Sequence, residues 1–401
     1  MKQTTTILTS LLVATLAVTA VAQTTEKSLQ TKCIMAEDGE TITIEAGNFH
    51  FLKSISLESK KNIIIKGAGI DKTIISFKGQ TSGAEGFKIS NASNITLQDL
   101  TVQDAKGDAI KTMAVEGINF INVKAEWTGT PKKTNGSYAF YPVSCTNVLI
   151  DGCVAIGASD AGIYVGQSKN IIVRNCKAYH NVAGIEIENS LNAEVYNNEA
   201  IENTGGVLVF DLPDLKQKKG GHVRVYNNTI KNNNFANFAP KGNIVAKVLK
   251  GTGVLVLATS GVEIFDNQII NNNSMSTGIV SYYMTENPIN DQGYDPYPTN
   301  IFIYNNNYER AHVRVSAKGR LGKIFRVKLR LGKDVPHIFY DGIANDKIKD
   351  YETTRNICVR NNKNESFINL DAAHDFKGKS VDIKPFNCEL PKLTKSSIGR
   401  K

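Results

Sequence analysis

"DAGIYVGQSKNIIVRNCKAYHNVAGIEIENSLNAEVYNN", Asp160 to Asn198, repeats itself. Ala161-Gly162-Ile163 returns 22 residues later as Ala183-Gly184-Ile185, and seven residues after each isoleucine a second phrase opens, at Asn170 and Asn192. That second phrase runs along the chain: NIIIKGA from Asn62, NITLQDL from Asn94, GINFINV from Gly117, NVLIDGC from Asn147, NIIVRNC from Asn170. It continues as NAEVYNN from Asn192, HVRVYNN from His222, GVEIFDN from Gly261, NIFIYNN from Asn300 and NICVRNN from Asn356. Apolar residues alternate within each copy, which is the period of a strand and not of a helix. The first phrase is equally regular: Phe87, Ile110, Phe140, Ile163, Ile185 and Val254 each stand seven residues before the next start.

Two or three short strands every 22 to 23 residues, with few turn dipeptides, cannot close as local hairpins. Stacking each repeat on the last satisfies every backbone group and buries one continuous core, so each repeat is one coil of a solenoid. One slot supports this reading. It holds Cys153 and Cys176 in two coils and Asn198, Asn228, Asn267, Asn306 and Asn362 in others. Amides stacked at a turn bond from coil to coil, and the two cysteines read as stacked thiols because in-register neighbours point in parallel. Six cysteines otherwise leave disulfide pairing open.

The pattern resembles the right-handed parallel β-helix proteins of the pectate-lyase-like superfamily, and more closely its exported parallel β-helix repeat members. GIYVGQS at Gly162, AGIEIENS at Ala183, TGGVLVFDLP at Thr204 and FAPKGNIVA at Phe238 carry the likeness, which spans about Thr41 to Asn306 and resumes near Asn356. The implied fold is all-β: a single-stranded right-handed parallel β-helix with an N-terminal capping helix and inserted loops. Polysaccharide lyases, uronan epimerases, glycoside hydrolases and non-catalytic structural proteins share it, so the fold alone does not decide the activity. The chain lacks the Asp-Pro-His motif of uronan epimerases and an arginine at a pectate-lyase-type catalytic slot.

The rest of the chain is organised around the coils. Residues 1–22, with Lys2 before an apolar centre and Ala20-Val21-Ala22 at its end, read as a signal peptide for export to the periplasm or the cell exterior. The apolar centre is too short to span a bilayer, and no later stretch is an integral membrane segment. Residues 23–40 form the cap, 41–388 the β-helix with inserts at 212–221, 231–252 and 307–355, and 389–401 a tail. The formal charge of +9 falls by one when Lys2 leaves. A basic exported monomer suits an anionic polysaccharide partner, and neither composition nor motif points to nucleic acid. Arg314 to Lys333 carries eight cations and no acid, a candidate docking hairpin for an anionic polymer or surface.

In the first phrase the residue after the inward one points out. That slot reads Lys88, Lys111, Tyr141, Tyr164, Glu186, Leu208, Leu255 and Val280; two residues on come Ser90, Met113, Val143, Gly166, Glu188, Phe210, Leu257 and Tyr282. From Leu208 onward this face is apolar, so the inserts are expected to fold over it and form one wall of a groove. The earlier coils, about 4.8 Å apart, span roughly 14 Å, room for about three sugar units.

Elimination or epimerisation of a uronate needs a cation on the carboxylate, a base for the C5 proton and an acid. Lys111 suits the first role and Tyr141 and Tyr164 the others, with Glu186 as a further catalytic candidate. Asp108, Gln167, Asn189 and Asp211 are placed to contact substrate. Asp160, Glu186 and Glu188 are candidate ligands for Ca²⁺, a hard cation that takes carboxylate oxygens, and paired carboxylates would alternatively serve glycoside hydrolysis. The second reading is a non-catalytic β-helix that binds a glycan or scaffolds the envelope.

Overall fold

The computed structural model describes residues 24–315, 322–343, 345 and 356–398. The proposed signal peptide, and Lys318 and Arg320 of the basic run, lie outside them. Among the described residues, no helix is long and apolar enough to cross a membrane.

The chain winds as parallel coils. Eleven strands, one per coil, form one parallel sheet that includes Ile110–Met113, Tyr138–Val143, Ala161–Gly166, Ala183–Glu188 and Gly205–Phe210; nineteen strands form the other. Register is strict: Phe87, Ile110, Phe140, Ile163, Ile185, Val207 and Val254 stack as one inward column. They belong to a single core running from Leu29 of the cap to Phe386.

The ten starts of the second phrase share one backbone state. Each has φ between +51° and +81°, whether asparagine, glycine or, at 222, histidine. Left-handed backbone is costly for most L-residues and tolerated by Gly and Asn, which explains the composition of this position. The Asn slot is a buried ladder from Asn198 through Asn228, Asn267 and Asn306 to Asn362, each amide nitrogen donating to the next carbonyl oxygen at 2.9–3.0 Å. Cys176 precedes it, its backbone N–H donating to Asn198 Oδ1 at 2.9 Å, and Cys153 and Cys176 are free buried thiols, as expected. A second ladder, Asn181, Asn203 and Asn233 to Asn272, lies at the next corner.

The cap is the helix Glu26–Met35, held by a Thr25/Ser28 capping box. Gln30 extends the sheet sideways, pairing with both the N–H and the carbonyl of Ser56.

Several boundaries are corrected. The 307–355 segment is not one insert, because Asn307–Glu309 and Ile338–Tyr340 are strands of the two sheets and carry the solenoid through it. Residues 281–298 form an insert that periodicity did not reveal, with a short 3-10 turn at Tyr282–Thr285. In the outward columns Leu255 meets Gly278 and Leu257 meets Val280, so Val280 belongs one slot later than its predicted place. The described part of the basic run is no hairpin: Ile324–Lys328 is a helical turn.

The tail is docked. Cys388 is bonded to Cys358, and Leu393 and Ser396 donate backbone N–H groups to Glu263 and Glu194. Both carboxylates are buried around Arg224, which bonds Glu263 at 2.8 Å and Glu194 at 3.1 Å. Beside them Tyr196, Tyr226, Phe265 and Tyr304 stack at 4.8–5.0 Å. Removing one partner of a buried ion pair strands the other charge, so Arg224→Ala is expected to cost about 3–5 kcal/mol. Denaturant unfolding checks this, and adding Glu194→Gln and Glu263→Gln should recover part of the loss.

Candidate functional site

The outer face of the eleven-stranded sheet carries the candidate residues, and strand register lines up four of them as the repeat required. Lys111 pairs with Tyr141, Tyr164 with Glu186 and Glu186 with Leu208, while Phe140 beside Tyr141 pairs with Ile163 beside Tyr164. Lys111, Tyr141, Tyr164 and Glu186 therefore form one column.

Their exposure differs from the expectation. Tyr164 is 4% exposed, Glu186 1%, Glu188 8% and Asp160 4%. The inserts do more than wall a groove: they roof its inner half. Val245 and Val248 of the 231–252 segment pack in one cluster with Ala161, Tyr164, Val182, Leu208 and Phe210, and Asn243 Nδ2 donates to Asp160 Oδ2 at 2.7 Å. Exposed Leu208 and Phe210 would have cost several kcal/mol in contact with water, so burying this apolar face draws the adjacent carboxylates under the same cover.

The outer half stays open. Lys111 lies 3.8 Å from Asp108 and 3.9 Å from Glu85, with its side chain 25% exposed, and its ammonium sits 4.8 Å from the centre of the Tyr141 ring. Tyr138, Tyr141 and Tyr164 form a three-ring cluster with centroids 4.4–5.0 Å apart. Tyr164 donates to Glu188 Oε1 at 2.7 Å. It bends over Gly166 to do so, where a Cβ would stand 2.1 Å from the phenol oxygen. Glu186 Oε2 is buried without a hydrogen-bond partner.

Burial and mutual repulsion set the charge state. Desolvation raises Asp160 to about 7, Glu188 to about 7 and Asp108 to about 6. Glu186 is raised well above the usual carboxylate range, first by desolvation, then by Asp160 and Glu188. Tyr141 is pushed up to about 12 by burial, then by Asp108, Glu188 and Asp160. The phenols are thus proton donors at neutral pH, whereas the carboxyls are poised to exchange protons there.

A stability effect follows. Between about pH 4 and 7 the folded chain holds protons on Asp160 and Glu188, and up to about pH 6 on Asp108, that the unfolded chain has released. Their stabilisation is fully present below the ordinary carboxylate range and is lost as pH rises through about 7. For Asp160 alone the loss is of the order of 4 kcal/mol. We expect a lower Tm at pH 8 than at pH 5, with the slope reduced in Asp160→Asn; an unchanged slope would contradict the buried cluster.

Three of the proposed substrate contacts are engaged elsewhere. Asn189 is fully buried, accepting from the Leu212 N–H and donating to the carbonyls of Leu212 and Gln217. Gln167 accepts from the Gln217 N–H, and Asp211, raised to about 6 by burial, accepts from Gly220. Together they fasten the 212–221 insert, whose backbone polar groups need partners once it leaves the sheet. Asp108 alone of that set stays beside the open column. The proposed calcium ligands also fail to converge: among the described residues, no group of three or more His, Cys, Asp or Glu side chains could hold a metal ion. Asp160 is turned to Asn243, and Glu188 to Tyr164.

Sequence reasoning missed Tyr138, Glu85 and Asn243. Tyr138 stands two residues before inward Phe140, so strict alternation points it inward, but at the sheet corner it joins the outer cluster. Nothing in the local pattern signals Glu85 or Asn243, which reach the site from within the strand Ser82–Ser90 and from an insert.

These coils define the class: the chain is a right-handed parallel β-helix protein, and residues 115–307 match the family model described as the right-handed β-helix region. Among curated proteins, it is 26% identical over 208 residues to the pre-neck appendage protein of Bacillus phage B103. That match covers 43% of this chain and spans 24% of the relative's length. Similar solved structures include the mannuronan C-5 epimerase AlgE4 A-module of Azotobacter vinelandii, at 16% identity and a TM-score of 0.46, covering 81% of this chain and 86% of that one. Another is alginate lyase AlyF-OU02 in complex with G6, at 13% identity and a TM-score of 0.42, covering 71% of this chain and 57% of that one.

Proposed function

We propose that this is an exported, monomeric carbohydrate-active protein that acts on an acidic polysaccharide by moving the C5 proton of a uronate. The carrying observation is that Lys111, the Tyr138/Tyr141/Tyr164 cluster and the neutral-range carboxyls Asp160 and Glu188 lie together on one outer face. Lys111 meets the substrate carboxylate and favours the electron-rich C5 carbanion. A carboxylate takes the C5 proton, Glu188 with Tyr164 as relay, and the Tyr141 phenol supplies a proton. In elimination that proton goes to the departing O4 as the C4–O4 bond breaks and the C4–C5 double bond forms; in epimerisation it goes to the opposite face of C5.

The second reading, a non-catalytic glycan-binding or scaffold β-helix of the envelope, is favoured by one observation: the roof of the 231–252 insert over Glu186 and Asp160. On that reading only the Lys111–Tyr141 rim meets sugar.

The purified chain, with Ca²⁺ and with EDTA, should be incubated with a panel of uronans in D₂O. New absorbance at the unsaturated product's ultraviolet band shows elimination, and deuterium at C5 without it shows epimerisation. Neither signal, together with retained glycan binding, establishes the second reading.

A further inference from the structure

Three inserts lie over the apolar half of the outer face without filling the space beneath them. An apolar cavity of about 90 Å³ separates a floor that includes Leu255, Leu257 and Met275 from a roof that includes Val248, Met284 and Phe325. Each roof residue comes from a different insert: 231–252, 281–298 and the stretch before Ile338. Protein interiors are packed to near crystal density, and a void lined by leucine and phenylalanine forfeits dispersion contacts. An enclosed apolar cavity of roughly 150 Å³ takes a small hydrocarbon such as benzene, so this smaller one, open toward solvent on one side, holds part of an alkyl chain with the remainder at its mouth.

The mouth is different. Lys247 borders both this cavity and a solvent-open hollow that also shares Met284 and Thr285. Its ammonium donates to the Thr285 carbonyl and to Asn287 Oδ1, both uncharged. Lys250 and Glu286 also line the hollow, and a cation at the entrance of an apolar pocket is matched by a hydrocarbon chain ending in an anion. We propose that this cavity binds a monomeric alkyl carboxylate, the chain between Leu257 and Phe325 and the carboxylate at Lys247. The site is separate from the tyrosine–carboxyl column and does not depend on its chemistry.

The methionines provide the test. Met275 and Met284 line the cavity, whereas Met35 and Met113 are exposed on distant coils. The full chain carrying ¹³C-methyl methionine is titrated with sodium octanoate, octanol and anionic phospholipid vesicles in turn. Saturable octanoate shifts at Met275 and Met284 alone, abolished by Val280→Phe, are the expected result. Lys247→Ala should weaken octanoate binding about fivefold and leave octanol unchanged. If Val280→Phe does not fold, Leu255→Phe fills the same space. Absent shifts, equal shifts at all four methionines, or a response to vesicles alone would overturn the proposal.

Discussion

Replacing Tyr141 by phenylalanine should lower turnover on the productive uronan by about 10²–10⁴-fold, the usual worth of a positioned proton donor. The ring would keep its packing on Tyr138 and Tyr164 and its contact with the Lys111 ammonium. Stability should therefore change by no more than about 0.5 kcal/mol. Burial and three neighbouring carboxyls hold this phenol protonated, which makes it an acid rather than a base. Lys111→Met should instead raise KM for an anionic substrate more than it lowers kcat, because the lysine also contacts the ground-state carboxylate. Unchanged kcat in Tyr141→Phe would remove the tyrosine from the chemistry and leave the carboxyls to carry it. The two variants together separate proton transfer from charge recognition.

Asn228→Ala should be strongly destabilising to the coil stack. The Asn228 amide donates to the Val195 carbonyl at 2.9 Å and to Asn267 Oδ1 at 3.0 Å, and its oxygen accepts from both nitrogens of Asn198 at 3.0 Å. Truncation removes four hydrogen bonds, but Asn267 Oδ1 keeps the residue-228 N–H and Asn198 Nδ2 keeps the Val173 carbonyl, so the Asn198 N–H and the Val195 carbonyl bear most of the cost, at about 1–3 kcal/mol each, and a loss of about 2–6 kcal/mol is expected. Because each coil touches only its neighbours, the damage should be local, splitting denaturant unfolding into two transitions around the 198–267 coils. Asn198→Cys should cost less, since Cys176 already fills the preceding rung with a thiol whose sulfur contacts carbonyls at 3.0 and 3.4 Å. A loss below about 1 kcal/mol in Asn228→Ala would mean that water or rotation replaces the ladder bonds.

The coil path was legible because it is written locally and many times over. Asn62, Asn94, Gly117 and their counterparts mark the left-handed corner, and the isoleucines seven residues earlier mark the inward column. Both signals depend only on backbone sterics and on alternation along a strand. Alternation also placed Lys111, Tyr141, Tyr164 and Glu186 on one side, as the register shows. It failed at corners and inserts. Tyr138 escaped it at a strand start, and the 281–298 insert left no periodic trace. Gln167, Asn189 and Asp211 looked free for substrate because the loop that uses their hydrogen bonds is only ten residues of irregular chain.

The sequence by itself determined the winding, the order of side chains along each column and the thiol and amide fillings of the turn slot, since each follows from the period of a strand and the allowed backbone at one corner. Only the tertiary structure decided which part of the outer face meets water. The three inserts settle against apolar Leu208, Phe210, Leu255 and Leu257 wherever that buries the most surface. In doing so they close over Asp160, Glu186 and Glu188 and raise those carboxyls above the ordinary carboxylate range, an outcome of packing between distant segments that no local spacing encodes.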